Sequence, residues 1–385
     1  MACDSAGYVI RYRRFSRAKG GVPVNYILMN KDSAWLSFSC RRNEFDEAEC
    51  SEHEWYTELR PWGFHNLTDY LAGRQAPKHR KHITELLERY NCNDLEGFLN
   101  VTHALSLNDT FWVKPENSPL RWDDVSLYRN EFDELIAAAA FDGRIGSTRF
   151  STTSPEFGTD GYFAKCWVRE NGRIMLYKSG SETFEIEPLS EYLSCQLAEK
   201  LRMDYVLYDI AYYHDTLISK CALFTSEKAG LAKAHDLLPK GERSVSAMLN
   251  YFTSIGSGDS FRRMCVLDAL ILNTDRHLGN FGALIDNDTM SVIRMAPVFD
   301  NNRCLLFDMD IDQLKNTDWC IGTCAPRFGT DFISTARGML TDDIRQDLEA
   351  LRDFSFEQHP KIKAEEVRIE ALSTIVREQV KRILD

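Results

Sequence analysis

The sequence lacks several features that would place a protein in a class at once. It has no apolar run of the roughly 18 residues that a membrane-spanning helix requires, and its opening stretch, MACDSAGYVIRYRRF, has no apolar signal-peptide segment. We therefore expect a cytoplasmic protein with no membrane partner. Basic residues are the minority, 46 against 58 acidic ones, for a net charge of -12. Direct nucleic-acid binding is not expected, because phosphate neutralisation needs clustered Lys and Arg.

The eleven cysteines follow no pattern that is typical of a metal site or a disulfide framework. The tightest pair, Cys320 and Cys324, has no second pair at the spacing of a zinc ribbon. Cys50 and His53 supply only two candidate ligands, too few for a tetrahedral site. We expect free thiols in a reducing compartment.

What is present is ordinary globular composition, 44% hydrophobic and 27% charged over 385 residues, which is enough for a bilobal protein. We divide the chain into residues 1–145, 146–226 and 227–385. In the first segment, PVNYILMNKDSAWLSFSC predicts a strand hairpin, and two helices follow it. Residues 106–132 are aromatic but interrupted by Pro and Asn, so an irregular packing segment is expected. Residues 1–145 show no cluster of reactive groups, so we expect this segment to act as a scaffold or to recognise a partner.

Residues 146–226 predict a small antiparallel sheet with one helix against it. The Ser-, Thr- and Gly-rich stretch 146–163 is expected to be a long mobile loop. A hairpin around Asn171-Gly172 comes next, since Asn-Gly is a strong hairpin signal. Leucines at every fourth position then predict a one-sided helix, and two strands follow around residues 214–215.

The last segment is mainly helical. SVSAMLNYFTSI and FRRMCVLDALILN predict two helices, and the second is apolar enough to be buried. FGALI and SVIRM predict a short hairpin, and two amphipathic helices close the chain. The predicted fold class is therefore α+β, with a small antiparallel-sheet lobe, a larger helical lobe and an extra N-terminal α+β segment.

A small sheet that carries a lysine, followed by a helical lobe with a polar loop, is a plan that suits phosphoryl transfer. This chemistry needs a flexible loop for the phosphates, a cation on a strand, a carboxylate for the acceptor hydroxyl and oxygen ligands for magnesium. FGTDG supplies a candidate loop, because its glycines let backbone N–H groups approach phosphate. The loop candidates are Gly158, Thr159, Asp160 and Gly161.

The other parts also have candidates, and together they predict ATP and Mg²⁺ as cofactors. Lys178 is the strand cation, and Glu191 on the next helix could pair with it. Glu187, four residues earlier on the same helical face, is the alternative partner. The polar loop and the residues after the hairpin supply the remaining groups. These are Asp275 for the acceptor hydroxyl, with Asn280 and Asp300 for magnesium.

The string DRHLGN followed by VFDNN resembles the catalytic and metal-binding loops of the HipA-like serine/threonine kinases. It also resembles the loops of the phosphoinositide lipid kinases, which share a distant protein-kinase-like fold. SEYLSCQLAEKL after LYKSGS is similar to the lysine strand and glutamate helix of HipA-like proteins. The resemblance covers roughly residues 145 to 310 and implies a bilobal protein-kinase-like fold.

Carried over to this chain, the resemblance implies the same catalytic, lysine-partner and metal roles for the residues just named. It implies that Phe224 and its neighbours form the inter-lobe linker that contacts adenine. His277 lies inside the motif and is placed among the nucleotide-site residues, where packing and hydrogen bonding to the loop backbone is favoured over proton transfer. A serine of the phosphate loop can be autophosphorylated in this family. Ser151 and Ser154 are the candidates, and Ser154 is the one we predict.

The function that the resemblance implies is an ATP-dependent kinase acting on a Ser or Thr hydroxyl of a protein. Several such kinases are toxins, so a translation component as substrate and a cognate antitoxin as partner are implied by analogy. A lipid or small-molecule kinase is one alternative, which the acidic net charge disfavours at a membrane surface. A non-catalytic nucleotide-binding or interaction module is the other.

Overall fold

The computed structural model describes residues 23–43, 48–77, 82–89, 92, 94–143, 154–159, 161–181 and 186–385. Two residues singled out above, Ser151 and Asp160, lie outside these ranges. Within them the chain forms three antiparallel sheets, with helices packed against them. The small sheet lobe and larger helical lobe predicted from the sequence are confirmed.

The N-terminal segment is built on a four-stranded sheet in the order β3-β2-β1-β4. The predicted hairpin is present as β1 and β2, with Lys31 in the left-handed region at the turn. Short helices surround the sheet. The elements are β1 (Val24–Asn30), β2 (Ser33–Arg42), β3 (Ala48–Trp55), α1 (Leu67–Ala72), α2 (Ile83–Arg89), α3 (Leu95–Thr102), β4 (Phe111–Pro115), α4 (Trp122–Val125) and α5 (Glu134–Asp142).

The expectation that residues 106–132 are irregular is wrong. Strand β4 lies in this stretch and pairs with β1 along its whole length, and the short helix α4 follows. Three consecutive residues, Phe111, Trp112 and Val113, are buried, so the strand shows no alternation of apolar and polar positions. The strand ends at Pro115, the residue that made the stretch look broken.

The expectation of free thiols is wrong for one pair, because Cys40 and Cys50 form a disulfide. The two residues are direct partners in the register of β2 and β3, which places their Cα atoms 4.1 Å apart. The other eight cysteines in the described ranges form no disulfide, and all of them except Cys324 are buried. A disulfide is untypical of a reducing compartment, and the cytoplasmic location stays a prediction.

The second sheet has the order β5-β6-β8-β7, as expected for a small antiparallel lobe. Its first hairpin turns at Asn171 and Gly172, both with positive φ. Helix α6 covers one face with its buried leucines, and α5 covers the other near Cys166. The elements are β5 (Lys165–Glu170), β6 (Arg173–Ser179), α6 (Glu187–Lys200), β7 (Tyr208–Tyr213) and β8 (Thr216–Ala222).

The described part of the stretch predicted as a mobile loop contains a short 3₁₀ helix, Pro155–Gly158. Phe157 is fully buried in the main hydrophobic core. Its backbone oxygen accepts a hydrogen bond from the Ala76 N–H of the N-terminal segment. This part of the stretch is therefore held by packing, which its Ser and Thr content concealed.

The helical lobe also carries a three-stranded sheet, in the order β11-β10-β9, of which β10 and β11 form the predicted hairpin. Strand β9, in AGLAK, has no strong sequence signal. Gly282 is required where β10 meets β9, because a Cβ there would collide with the Ala232 backbone. The elements are β9 (Ala229–Lys233), α7 (Ala234–Leu237), α8 (Val245–Ser254), α9 (Gly258–Leu270), β10 (Gly282–Asp286), β11 (Val292–Met295), α10 (Ile311–Leu314), α11 (Thr317–Thr323), α12 (Phe332–Met339), α13 (Asp342–Glu349) and α14 (Glu366–Leu384).

One hydrophobic core runs through all three segments, from Tyr26 in β1 through Leu193 in α6 to Val380 in α14. Helix α9 lies at its centre, as its apolar sequence predicts. The three-way division into residues 1–145, 146–226 and 227–385 stays a prediction. Among the described residues, no helix has both the length and the apolar content to cross a membrane.

We expect the free energy of unfolding to fall as the pH drops from about 6.5 to about 4, because of His103. This residue is 4% exposed, and burial lowers its pKa from 6.5 to about 4. Between these pH values the imidazole of His103 is protonated in the unfolded chain and neutral in the folded protein. This difference lowers the free energy of unfolding by up to roughly 3 kcal/mol. Urea unfolding at a series of pH values measures the effect.

His103→Asn is the matched variant, because asparagine tolerates the left-handed backbone that His103 adopts at the end of α3. The variant should show a shallower loss of stability between pH 6.5 and 4. An identical pH dependence in the two proteins would show that His103 is not the titrating group.

Candidate active site

Lys178 near the end of β6 makes two short ion pairs. Its Nζ donates to Glu191 Oε1 at 2.6 Å and to Asp300 Oδ1 at 2.7 Å. The lysine side chain is 5% exposed and Glu191 is fully buried, whereas the Asp300 side chain is 29% exposed. Lys178 therefore points from the sheet toward the polar loops of the helical lobe and joins the two lobes.

Glu191, and not Glu187, is the helix residue that contacts the lysine. Glu187 lies one turn earlier and accepts a hydrogen bond from the Ser181 N–H at 3.0 Å. Glu191 Oε2 accepts a further bond from the Ser219 hydroxyl of β8. Both carboxylate oxygens of Glu191 are therefore occupied by residues of the small sheet, which fixes α6 against it.

The pKa values of Lys178, Asp300 and Glu191 are shifted in different directions. Burial by itself would lower the pKa of Lys178, but Asp300 and Glu191 outweigh it and raise that pKa. Burial would raise the pKa of Asp300, but Lys178 and then Lys165 outweigh it and lower that pKa to about 2. Burial raises the pKa of Glu191. Asp300 is therefore the firmly ionised partner of a permanently protonated lysine.

Asp300 has a backbone conformation that few residues other than glycine adopt, with φ 58°. Bonds on both sides hold it there. Its own N–H donates to the Tyr208 hydroxyl at 3.2 Å, and the preceding carbonyl, Phe299 O, accepts from Arg276 at 2.8 Å. The conformation is thus imposed by neighbours from β7 and from the DRHLGN loop.

The DRHLGN loop after α9 is a compact series of turns. The Asp275 N–H donates to Asn273 Oδ1 at 3.0 Å, and Asp275 O accepts from the His277 N–H at 2.7 Å. Asn280 Nδ2 also donates to Asp275 O, at 3.2 Å. This bond uses the amide nitrogen of Asn280 and leaves its Oδ1 without a hydrogen bond to any described residue.

His277 serves this loop in a structural way. Its Nδ1 accepts from the Gly279 N–H at 3.0 Å, so the neutral ring carries its proton on Nε2. Burial lowers the pKa of His277, although nearby Asp275 opposes the shift. The packing and backbone hydrogen bonding expected for His277 are what the geometry shows.

Arg276, inside the DRHLGN string, organises the whole site, a role that the sequence alone did not assign to it. It is 2% exposed, and its five N–H groups are all used. It pairs with Asp268 in α9 at 2.9 Å, donates to Asn280 O and Phe299 O, both at 2.8 Å, and bonds Asn301 Oδ1 at 2.5 Å. One side chain thus joins α9, the DRHLGN loop and the VFDNN segment.

Arg327 is a further residue that sequence reasoning missed. Its Nη1 donates to Asp275 Oδ1 at 2.6 Å, from a side chain that is 59% exposed. The other carboxylate oxygen, Asp275 Oδ2, makes no hydrogen bond to a described residue. No sequence signal pointed to Arg327, because it lies 52 residues beyond Asp275 in a loop after α11.

The two glycines of the predicted phosphate loop have different surroundings in the structure. Gly158 faces the N-terminal segment, where a Cβ would lie 2.7 Å from Leu105 O, so packing explains it. The Thr159 hydroxyl donates to Pro155 O and accepts from Trp167 Nε1, both within the small lobe. Gly161 adopts φ 103°, which a side chain would strain. Asp160 lies outside the described residues.

Lys165 was also missed, although it stands at the start of the strand beside Lys178. The two lysines are direct cross-strand partners in β5 and β6, so their side chains leave the same face of the sheet. Lys165 is 7% exposed, and its charge contributes to the lowered pKa of Asp300. An inward lysine at the start of a predicted strand was the available signal.

Two other predicted residues have clear positions. Phe224 lies between β8 and β9, in the short linker joining the two lobes, with its ring 5.3 Å from that of Phe299. Ser154 precedes the 3₁₀ helix and is 4% exposed. Phe224 is therefore beside the VFDNN segment, whereas the Ser154 hydroxyl is inside the protein.

Comparisons with known proteins give likenesses of structure only. No protein-family model matches the sequence, and no curated protein matches it. The structure is similar to the crystal structure of a proinflammatory kinase, CtkA, from Helicobacter pylori, at 18% identity and a TM-score of 0.48. That alignment covers 60% of this chain and 92% of the other.

The structure is also similar to that of the Shewanella oneidensis MR-1 toxin–antitoxin system HipA, solved with HipB and its operator DNA. The identity is 11% and the TM-score 0.47, and the alignment covers 93% of this chain and 97% of the other. A HipA protein, the family that the sequence motifs resemble, is thus among the solved structures to which this chain is similar.

We expect Arg276→Lys to lower the free energy of unfolding by roughly 3 kcal/mol. Lysine keeps the charge but cannot place five donors in one plane, so Asp268 and two backbone carbonyls lose buried partners. Arg294→Lys is the control, because its ion pair with Asp204 is half exposed and such pairs contribute little. Chemical denaturation compares the two variants, and equal losses would refute the central role of Arg276.

Proposed function

We propose that this protein transfers the γ-phosphate of MgATP to a Ser or Thr hydroxyl of a protein. The observation that carries the proposal is the joining of a buried lysine–carboxylate pair to two polar loops. Lys178 contacts Asp300. Arg276 donates to the backbone carbonyl of Asn280 and to that of Phe299, the residue before Asp300, so it joins the two loops that would act on the phosphates. This arrangement supplies the cation, the acceptor carboxylate and the oxygen ligands that phosphoryl transfer requires.

Three side-chain oxygens face no protein partner in the described part of the chain and are available for the reaction. They are Asp275 Oδ2, Asn280 Oδ1 and Asp300 Oδ2. Carboxylate and amide oxygens are hard ligands, which suit Mg²⁺. Within the described ranges no group of three or more His, Cys, Asp or Glu could hold a metal by itself. Two protein oxygens are what Mg²⁺ uses when phosphates and water complete its shell.

Asn280 and Asp300 would hold the magnesium ion, which when bound neutralises charge on the phosphates. Lys178 would hold the phosphates themselves, since its raised pKa keeps it protonated. Glu191 and Ser219 keep the lysine chain in place from the side away from the loops. Lys165, on the same face of the sheet, adds a second positive charge near Asp300. Phe224 and its neighbours would contact the adenine.

Asp275 would receive or orient the acceptor hydroxyl. Its main chain is held by Asn273 and Asn280, and Arg327 holds Oδ1, so Oδ2 is directed by three fixed bonds. In a direct transfer the hydroxyl oxygen would bond to the γ-phosphorus while the bond from that phosphorus to the bridging oxygen breaks, so ADP leaves and the acceptor proton passes to Asp275 or to solvent. Positioning of this kind is the main contribution that a protein makes to phosphoryl transfer.

The finer parts of the proposal rest on the family resemblance described above. These are a protein acceptor of the translation machinery, a toxin-type activity and a cognate antitoxin. The expectation of no direct nucleic-acid binding stays a prediction. A lipid or small-molecule kinase would use the same residues for ATP, and it differs only in the acceptor.

We expect Asp275→Asn to reduce phosphate transfer by about 10² to 10⁴ while ATP binding is retained, because the variant loses only the basic oxygen. Labelled ATP with magnesium and a cell lysate measures transfer, and equilibrium binding measures affinity. Asp312→Asn is the control, since that carboxylate is exposed and pairs with Lys315 on the protein surface. Phosphate transfer at the wild-type rate in the Asp275→Asn variant would contradict the assignment.

The same experiment separates the alternatives. Label on a protein supports the proposal, and label only in a lipid or small-molecule fraction supports the first alternative. ATP binding by the wild type without any transfer supports a non-catalytic nucleotide-binding module.

Autophosphorylation at Ser154 is the second part of the proposal, and it makes a structural demand. The serine is 4% exposed, so its hydroxyl must leave the interior before it reaches a phosphate donor. A phosphate carries nearly two negative charges that burial would not tolerate, so the segment could not return. We expect peptide mass spectrometry after incubation with MgATP to find phosphate at Ser154 and none in Ser154→Ala. Phosphate absent from the wild-type peptide would overturn this part.

A further inference from the structure

We propose that three residues of the N-terminal segment, Trp122, Ser126 and Arg129, form a clamp on the inter-lobe linker, residues 223–228, and thereby set the affinity for the nucleotide. The mechanical part concerns the linker alone. The part that concerns affinity rests on the function proposed above. The clamp gives a specific role to residues 106–132, which the sequence predicted only as an irregular packing segment.

The clamp closes on the carboxylate of Glu227 in the linker. Trp122 Nε1 donates to Oε1 at 2.5 Å, and the Ser126 hydroxyl donates to the same oxygen at 3.3 Å. Arg129 approaches both oxygens, with its Nε 2.7 Å from Oε1 and its Nη2 3.0 Å from Oε2. Four donors from one segment therefore surround one linker carboxylate.

The neighbouring linker residues are held as well. The Thr225 hydroxyl donates to Leu107 O at 2.5 Å, where Tyr128 also donates. On the other side, Asn287 Nδ2 donates to Ser226 O at 3.1 Å. Residues 225–227 are thus bonded in succession to the N-terminal segment and to the β10–β11 turn.

The clamp itself is rooted in rigid structure. Trp122 is 2% exposed and packs in a hydrophobic cluster with Met29 and Trp112 of the N-terminal sheet. The backbone N–H of Trp122 donates to Asp32 Oδ1 at the β1–β2 turn, at 2.9 Å. The same sheet reaches the helical lobe, since Asn30 Nδ2 donates to Asn287 O at 2.6 Å. The N-terminal segment therefore contacts the linker and the lobe that follows it.

A short linker between two lobes is where hinge motion is absorbed, because few residues there change φ and ψ. Bonds that hold those residues reduce the conformations open to the free protein. A ligand that binds between the lobes then loses less entropy, so its affinity rises. The clamp residues are positioning residues, since none of them touches the reacting atoms.

Arg129→Ala is the first test, because the arginine side chain is 49% exposed and its removal leaves the core intact. Arg41→Ala is the matched control. It removes an exposed ion pair with Glu49 that joins β2 to β3 in the same segment, outside the stretch that bonds the linker. Glu227→Ala removes the clamp from the linker side, and the double variant tests whether the two changes act through one interaction.

We expect amide hydrogen exchange of the 223–228 peptide to accelerate in Arg129→Ala and Glu227→Ala and to stay unchanged in Arg41→Ala. ATP should bind about three- to tenfold more weakly in both clamp variants, with no further loss in the double variant. The KM for the protein acceptor should not change, since the acceptor lies at Asp275.

Exchange at the linker that is the same in all variants would overturn the clamp. Faster exchange with unchanged ATP affinity would overturn its effect on the nucleotide while leaving the clamp itself. A wild-type protein that does not bind ATP would refute the proposed function, and the exchange measurement would still decide the clamp.

Discussion

The candidate site depends on one buried guanidinium. Arg276 is the residue through which α9, the DRHLGN loop and the VFDNN segment are held together. Two of its bonds are to backbone carbonyls, so the loops are fixed in position whatever their side chains do. An unpaired charge in this interior would be strongly unfavourable. In this arrangement all five N–H groups of Arg276 are bonded, and the segments that carry Asp275, Asn280 and Asp300 lie side by side.

The small lobe reaches the same site through a different interaction. Lys178 crosses from β6 to Asp300, and Glu191 holds the lysine from behind. The strained backbone at Asp300 is maintained by Tyr208 from the small lobe and by Arg276 from the helical lobe. The conformation of one residue thus depends on both lobes being in place, which makes it sensitive to the angle between them.

The N-terminal segment contacts both lobes and the linker between them. Its core is continuous with the cores of both lobes, so it is a third structural part of the same body and not an appendage. Its contacts include the linker, the 3₁₀ helix before β5, strand β5 and the β10–β11 turn. These are the places where a two-lobed protein would otherwise have most freedom.

Elements with a strong local period were predicted well. The β5–β6 hairpin, α6 and α9 are present because Asn-Gly, four-residue leucine spacing and a long apolar run each have one favourable backbone. Strand β4 was missed because it is buried on both faces and shows no alternation. Strand β9 was missed because its small residues are chosen for close backbone packing, as Gly282 shows opposite Ala232. Pairing between strands that are distant along the chain leaves little trace in the sequence of β4 or of β9.

From the sequence we predicted the fold class, the four strands and one helix of the small lobe, the buried helix α9 and the residue types that suit phosphoryl transfer, but not β9, α7 or α10 to α12. Asp275, Asn280 and Asp300 were predicted because they lie within 26 residues of one another, and Lys178 because it ends a strand that precedes the helix carrying Glu191. Only the tertiary structure decided that Arg276 joins the loops, that Arg327 caps Asp275, that Cys40 is paired with Cys50 and that the N-terminal segment holds the linker. The reason is physical: each of these contacts joins parts of the chain that meet only when distant strands and helices pack, and side chains carry no record of a partner many residues away.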